Sequence, residues 1–524
     1  MKRIIALLLA LSVVALLAAA CGGAAAPAAA PTTAPASQAA APTAAPAAPK
    51  ATEAPKAAAP TEAPKAAAAA PTTAPAGATA APKAPAPTPV PTRAPEEGPT
   101  GVKIGKPVPS SADVDKIDLT GKNVNVTFWH VFSGNQEKAL KDIIASFEQK
   151  NPNIKITPVY KGSYDPTRKA TLTAIAANAV PDMVWSFPNA VSEYANEDVV
   201  QPLDPFMDSS KVGLGDLGKA LDAKILASYK YPTFDNQTLS LPPAVSQEVM
   251  YYNADWLKQL GYDKPPETIA QFMEICAKVK ATTPDKWCTA FRTDASGFAE
   301  LVWNFGGELL TPDFKQAAFK DAGLKAMQWY KEMLDKGYAY QPAVAFGDQT
   351  DFGLGKTLFT FGSSTGIPFY KAAATDPATN KERFNWSIAA YPRAKAGDPA
   401  LVNLFGPSVA VLATTPERSL ASWLFLKHWL GDEQAGTWAT VANYYPINQN
   451  ANQSPAVKAY LEKNPTFAKG FELLKNNKSE PNVMGWQGAR DAIANGLIAV
   501  ITNKATPEQS IDATVKAVND VLKQ

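Results

Sequence analysis

No aromatic residue precedes Phe128, and all 11 Trp, 16 Tyr and 22 Phe lie from there onward, whereas 20 of the 46 prolines fall between Pro27 and Pro109. This partition dictates where a core can form. The early stretch is Ala, Pro and Thr with scattered Lys and Glu, and TEAPKAAA occurs at Thr52–Ala59 and again at Thr61–Ala68. Proline every few residues blocks helix propagation, and too little apolar bulk is present to offset chain entropy, so residues 21–119 read as a disordered, partly polyproline II tether. Fully extended at about 3.1 Å per residue, it reaches on the order of 250 Å.

Ahead of the tether, Lys2 and Arg3 precede an apolar run from Ile4 to Ala20, interrupted only by Ser12, and Ala18-Ala19-Ala20-Cys21 closes it with small residues. Residues 1–20 read as a lipoprotein signal peptide, with Cys21 the expected lipidation site holding the mature chain outside a membrane. Ala18 stands where such signals usually carry leucine.

Roughly 400 residues follow Thr120, too many for one small core, so two lobes are expected. The formal charge of +2 includes Lys2 and Arg3. The mature chain is near neutral and nucleic acid is not an expected partner. Val124, Val126 and Phe128 alternate as a strand, and Leu140, Ile143, Ile144 and Phe147 repeat as a helix. Ile154–Tyr160 reads as a second strand, 167–178 as a second helix and 183–187 as a short buried strand. Strand, helix, strand at this spacing implies right-handed crossovers and a parallel sheet, with ligands at strand ends. Further on, Asn253 opens a helix, and Thr268 with Gln271 forms a capping box for another. Cys276 on that helix and Cys288 on the next strand are either a disulfide or two separate buried thiols.

Catalytic and cofactor motifs are not found. His130 and His428 are too far apart to suggest a His-based metal site, so no metal and no cofactor is expected. Gly355-Lys356-Thr357 resembles the end of a phosphate loop, but the glycine it requires would fall at Thr350. The acids Asp182, Glu248 and Glu300 have no assigned partner.

The segments VTFWHVFSGNQEKALKDIIASFEQKNPNIKITPVYKGSYD, AVPDMVW, LPPAVSQEVMYYNADWLKQLGYDKPPETIAQF, GKTLFTFGSSTG, LFGPSVAVLA, NYYPINQNA and NKATPEQSIDATVKAVNDVL together resemble family 1 extracellular solute-binding proteins of ABC importers. Within that family the likeness is strongest to glycerol-3-phosphate-binding proteins and more distant to maltose-binding proteins. It implies an α/β, two-lobed periplasmic-binding-protein-like fold (type II) with the ligand cleft between the lobes. Residues 120–245 with 407–446 would form one lobe and 246–406 with 447–524 the other, crossing near Ala244–Val249 and Phe405–Pro407.

The same resemblance nominates ligand contacts. Tyr164 matches a tyrosine that reaches ligand phosphate or sugar, Ser246 a contacting serine at the crossing, and Gly406 a glycine where backbone approaches ligand. Tyr444 belongs to a Tyr-x-Pro-Ile segment. Ser363 and Ser364, with Thr365, place hydroxyls and amides at a helix start. Trp486 and Arg490, four apart on one helical face, match a sugar-stacking tryptophan and a phosphate- or sugar-binding arginine. Trp129, Trp185, Asn189 and Phe298 are further candidates, with Phe187 and Pro188 beside them.

The implied activity is capture of a carbohydrate or polyol phosphate by a monomeric, lipid-anchored extracytoplasmic protein that delivers it to ABC permease subunits. An exported glycan-active enzyme needs paired carboxylates across a cleft, and none can be nominated. A sensor or adhesin subunit would not close around a small solute.

Overall fold

The computed structural model describes residues 93–99, 101–344 and 346–523, so the leader, Cys21 and the tether through residue 92 lie outside the described residues. The rest of the expected tether is ordered, which corrects its boundary at 119. The Glu96 amide donates to the Tyr160 carbonyl at 2.7 Å, and Val102 and Val180 exchange backbone hydrogen bonds at 2.8 Å. Val108 and Val114 are buried, and Ser110 caps a helical turn at Ser111–Val114. Apolar residues too sparse to build a core of their own are buried here against a neighbouring one, which composition cannot register.

Strand β1 (Val124–His130), helix α1 (Gly134–Lys150), strand β2 (Ile154–Tyr160), helix α2 (Tyr164–Ala176), strand β3 (Met183–Ser186) and helix α3 (Pro188–Ala195) follow in order. β1 lies between β2 and β3, parallel to both, with Val124 opposite Ile154 and Phe128 opposite Met183. An antiparallel strand, Ser408–Val411, completes this sheet beside β3. Both faces are buried, as parallel crossovers demand. Phe128 joins Phe147, Trp185 and Trp429 on one side, and Trp129 joins Val184 and Tyr194 on the other. Burying each such side chain contributes about 1.5–3 kcal/mol.

The larger sheet is organised by β4 (Ala244–Asn253), which pairs antiparallel with β7 (Thr357–Ser363) and β8 (Val402–Phe405). Beyond β7 lie β5 (Trp287–Ala290) and then β6 (Ala339–Tyr340), both running parallel to it. Helix α4 (Ile269–Thr282) has the expected Thr268–Gln271 capping box, and the Asn253 side chain caps the helix after β4. Cys276 on α4 and Cys288 on β5 form a disulfide with their Cα atoms 5.0 Å apart, which closes the alternative left by the sequence.

The chain changes sheets abruptly. Phe405 pairs with Ser246 of the larger sheet and Ser408 with Ser186 of the smaller. Two residues thus carry the return crossing. No helix among the described residues is long and apolar enough to cross a membrane.

Candidate functional site

A cavity lies where the two sheets meet at this crossing. Phe187, Pro188 and Asn189 enter from the end of β3 and the start of α3, Phe405 and Gly406 from the crossing, and Glu480, Asn482, Trp486 and Arg490 from the C-terminal part; Ser228 and Tyr229 complete the wall. It is narrow, with about 40 Å³ open to the centres of water molecules, room for about three waters.

Its electrostatic centre is Glu480. Oε1 accepts from Asn403 Nδ2 at 3.0 Å and Ser296 Oγ at 3.0 Å, and Oε2 accepts from the Trp486 indole at 2.8 Å and from Arg490 Nη1. Arg490 Nη2 also donates to Ser296 Oγ at 3.0 Å. Burial alone would raise the Glu480 carboxyl, but the Arg490 charge and these hydrogen bonds outweigh it and hold the group below its usual value. Burial opposes the Arg490 cation too, and Glu480 more than compensates, raising it. The pair is therefore ionised and internally neutral.

Helix α5 (Trp486–Ile501) presents this pair. Its N-cap, Gly485, has φ 80°, and a Cβ there would strike the Val521 carbonyl, so glycine is needed to start the helix at this angle. Gly406 is needed for another reason. Tyr229 donates its hydroxyl to the Gly406 carbonyl at 2.6 Å, and a Cβ would occupy the same space as that hydroxyl.

Asn189, Gly406, Trp486 and Arg490 thus meet in one place, with Phe187 and Pro188 beside them. Tyr164 adjoins them through Phe187, ring centroids 4.4 Å apart. Tyr444 is buried close to Tyr164. The other candidates fall elsewhere. Ser246 is buried, 3.5 Å from the Phe405 carbonyl. Ser364 is fully buried and accepts from the Gln247 amide at 3.1 Å, so its hydroxyl holds strands together. Ser363 is half-buried at the end of β7, where it caps the following turn.

Three aromatic candidates are corrected to core residues. Trp129 packs under Lys161 at 4.4 Å, Trp185 lies between Phe132 and Trp429, and Phe298 meets Phe319 edge-on at 5.5 Å. Trp129 and Trp185 point into hydrophobic layers because both faces of their sheet are covered, whereas Phe298, on the helix Ala295–Asn304, is buried with that helix in the other core. The residues that sequence reasoning missed, Glu480, Asn482, Ser228 and Tyr229, lie on connecting segments. The available signal for Glu480 was an acid one short loop ahead of the Trp486–Arg490 face. Among the described residues no group of three or more His, Cys, Asp or Glu is placed to hold a metal.

Residues 142–468 match the family described as bacterial extracellular solute-binding protein. The chain is 24% identical over 436 residues to the sn-glycerol-3-phosphate-binding periplasmic protein UgpB of Salmonella paratyphi A, covering 78% of this chain and 95% of that protein. A putative binding protein of Brucella abortus is 23% identical over 429 residues, covering 78% and 94%. Among solved structures, UgpB of Mycobacterium tuberculosis in complex with glycerophosphocholine superposes with a TM-score of 0.66 at 20% identity, covering 76% of this chain and 98% of that one. The GacH receptor of Streptomyces glaucescens, solved unliganded and with acarbose, gives 0.65 at 19% identity, covering 77% and 99%. These likenesses show the two-lobed α/β fold of periplasmic binding proteins. With most of its ordered length matched, the chain belongs to the bacterial extracellular solute-binding proteins, which are binding components of transport and not enzymes.

Proposed function

We propose that this protein is the lipid-anchored receptor of an ABC importer, that its solute is a neutral carbohydrate, and that the solute is captured between the lobes and presented to the permease. In this reading residues 1–20 are the cleaved signal, Cys21 carries the lipid and the protein acts as a monomer. The lobes are 120–245 with 407–446 and 246–406 with 447–524, the ordered segment from residue 93 packing on the first. The observation that supports it best is the cavity at the crossing, walled by both halves of the chain and holding an aromatic, amide and guanidinium set. Ligand touching both walls favours the closed state by its differential affinity for that state.

The choice of a neutral solute rests on Glu480. A phosphate beside Arg490 would also lie beside that buried carboxylate, and two like charges 4 Å apart repel by about 4 kcal/mol at an effective dielectric of 20. A sugar hydroxyl meets no such opposition. The second reading, a glycerophosphodiester, is favoured by the ligands named for the UgpB relatives. Thermal-shift and calorimetric titration of the mature chain with a panel of sugars, sn-glycerol 3-phosphate and glycerophosphocholine discriminates them. A sugar that raises Tm supports the proposal. Binding of the phosphate compounds alone transfers it to the second reading, and no binding by any member removes both.

A further inference from the structure

The helix Ala295–Asn304 turns a polar face inward. Ser296, Glu300 and Asn304 stand four apart and so share that face, and all three are buried. The face lies along β8, which leads into the crossing. The Asn403 backbone amide donates to Glu300 Oε2 at 2.9 Å, and Asn304 Nδ2 donates to the carbonyls of Glu300 at 2.9 Å and Leu401 at 3.2 Å. The Asn403 side chain carries the connection to the cavity, its Nδ2 reaching the Ser296 carbonyl at 3.3 Å and Glu480 Oε1 at 3.0 Å. Glu300 is thus two hydrogen-bonded steps from the carboxylate that holds Trp486 and Arg490.

This seam does not balance if Glu300 is ionised. Glu300 Oε1, Asn304 Oδ1 and Asn403 Oδ1 are buried without a hydrogen-bond partner; all three are acceptors, and the donors of both amides are already engaged. A proton on Glu300 supplies the missing donor. Charge leads to the same result. Among the described residues no cation pairs with Glu300, since Arg490 is engaged by Glu480 and Arg292 by Asp348. The buried titratable groups on the elements packed around the helix are Glu248 of β4, Tyr330 of the helix Lys320–Asp335 and Tyr391, and Asp294 caps its start. None of these is positive. A buried carboxyl with no cation beside it goes over to its neutral form, and burial first, then the neighbouring Glu248, hold Glu300 well above the usual carboxylate range.

Resting on the reading of this cavity as the solute site, we propose that Glu300 is a positioning residue working as a neutral acid: its O–H donates to an amide oxygen of the seam while Oε2 holds Asn403, which in turn holds Glu480 and Arg490 in place for the solute. Ionisation would set Oε1 against two amide oxygens and loosen Asn403, so the pair at the cavity would lose its alignment. The test is nuclear magnetic resonance of the full mature chain with carboxyl-labelled glutamate and indole-labelled tryptophan, for wild type, Glu300→Gln and Glu300→Leu. Comparison with E300Q assigns the Glu300 carboxyl, and Trp486→Phe assigns the Trp486 indole, whose N–H donates to Glu480. At about pH 7 the Glu300 carboxyl should stand at the neutral-acid position, although exposed glutamates lose their proton near about 4.3. The Trp486 indole should keep its resonance in E300Q, which retains a donor and an acceptor, and shift in E300L, which has neither. A Glu300 carboxyl that titrates with the exposed glutamates overturns the proposal, and so does an indole that moves equally in both variants or in neither. Should E300L not fold, the carboxyl position and the E300Q indole still decide. No solute is added, so these outcomes stand apart from which solute the receptor takes.

Discussion

The side-chain amide of Asn189 donates to Oε1 of Gln487 at 2.8 Å, joining the first turn of α3 to the first turn of α5 across the cavity. One short polar contact therefore holds the start of two helices that belong to different sheets. If the proposed lobe closure holds, removing it with Asn189→Ala should weaken the contact between these helices by about 0.5–1.5 kcal/mol, the usual net value of such a bond. Small-angle scattering of the ligand-free protein should then show a larger radius of gyration, and titration a weaker Kd. An unchanged scattering curve and affinity would leave this bond no part in closure.

Trp486 is only 1% exposed, which changes what its substitution tests. Trp486→Ala leaves a core cavity costing about 3–5 kcal/mol, so lost binding would report damage as well as lost contact. Trp486→Phe keeps most of the ring and deletes the indole donor to Glu480. That should destabilise by about 1–3 kcal/mol and weaken solute binding through a less firmly held Arg490. Denaturant unfolding beside titration separates the two effects.

Two buried groups give stability opposite dependences on pH. Burial takes His130 from 6.5 down to about 4, so between those values the unfolded chain binds a proton that the folded one refuses. Stability is lost as pH falls through that window. Burial, reinforced by Asp294, pushes Glu248 from 4.5 up to about 8; the folded chain keeps a proton there that the unfolded chain releases. Its contribution is complete below pH 4.5 and is lost as pH rises through 8. Glu248→Gln should flatten the alkaline limb of a Tm–pH profile and His130→Gln the acidic limb. Parallel profiles would show that neither group titrates as described.

The disulfide joins residues 12 apart in sequence, so reduction restores only a short loop to the unfolded chain. The paired Cys276→Ser and Cys288→Ser variant should lose about 2–3 kcal/mol, readable as a lower denaturant midpoint with a similar slope. Solute affinity should stay within twofold, because the bridge ties α4 to β5 and neither cysteine lines the cavity.

A chain cut at Thr120, where composition places the start of the folded part, discards Val108 and Val114, both buried. Each contributes about 1.5–3 kcal/mol. The shorter chain should melt several degrees below one beginning at Arg93, and equal melting temperatures would make residues 93–119 dispensable.

Much of the fold follows from local pattern. Alternation in Val124–Phe128, the 3.6-residue repeat from Leu140 to Phe147 and the Thr268–Gln271 box each specify an element through contacts within a few residues, and each forms where expected. The pairing of Trp486 with Arg490 on one helical face was legible for the same reason. Ordered resemblance along the chain carried the two-lobed architecture, which no periodicity contains.

What the tertiary structure alone decided concerns partners distant in sequence. Glu480 draws donors from Ser296 and Asn403, 184 and 77 residues away, and those separations leave no local trace. Trp129, Trp185 and Phe298 have the residue types of a sugar site, but a sheet covered on both faces turns the two tryptophans inward and the buried face of the helix Ala295–Asn304 does the same to Phe298. Ser364 is silenced likewise, since its hydroxyl meets the Gln247 amide only once β4 and β7 pair. Sequence determines which residues can bind; the folded crossing determines which of them face one another.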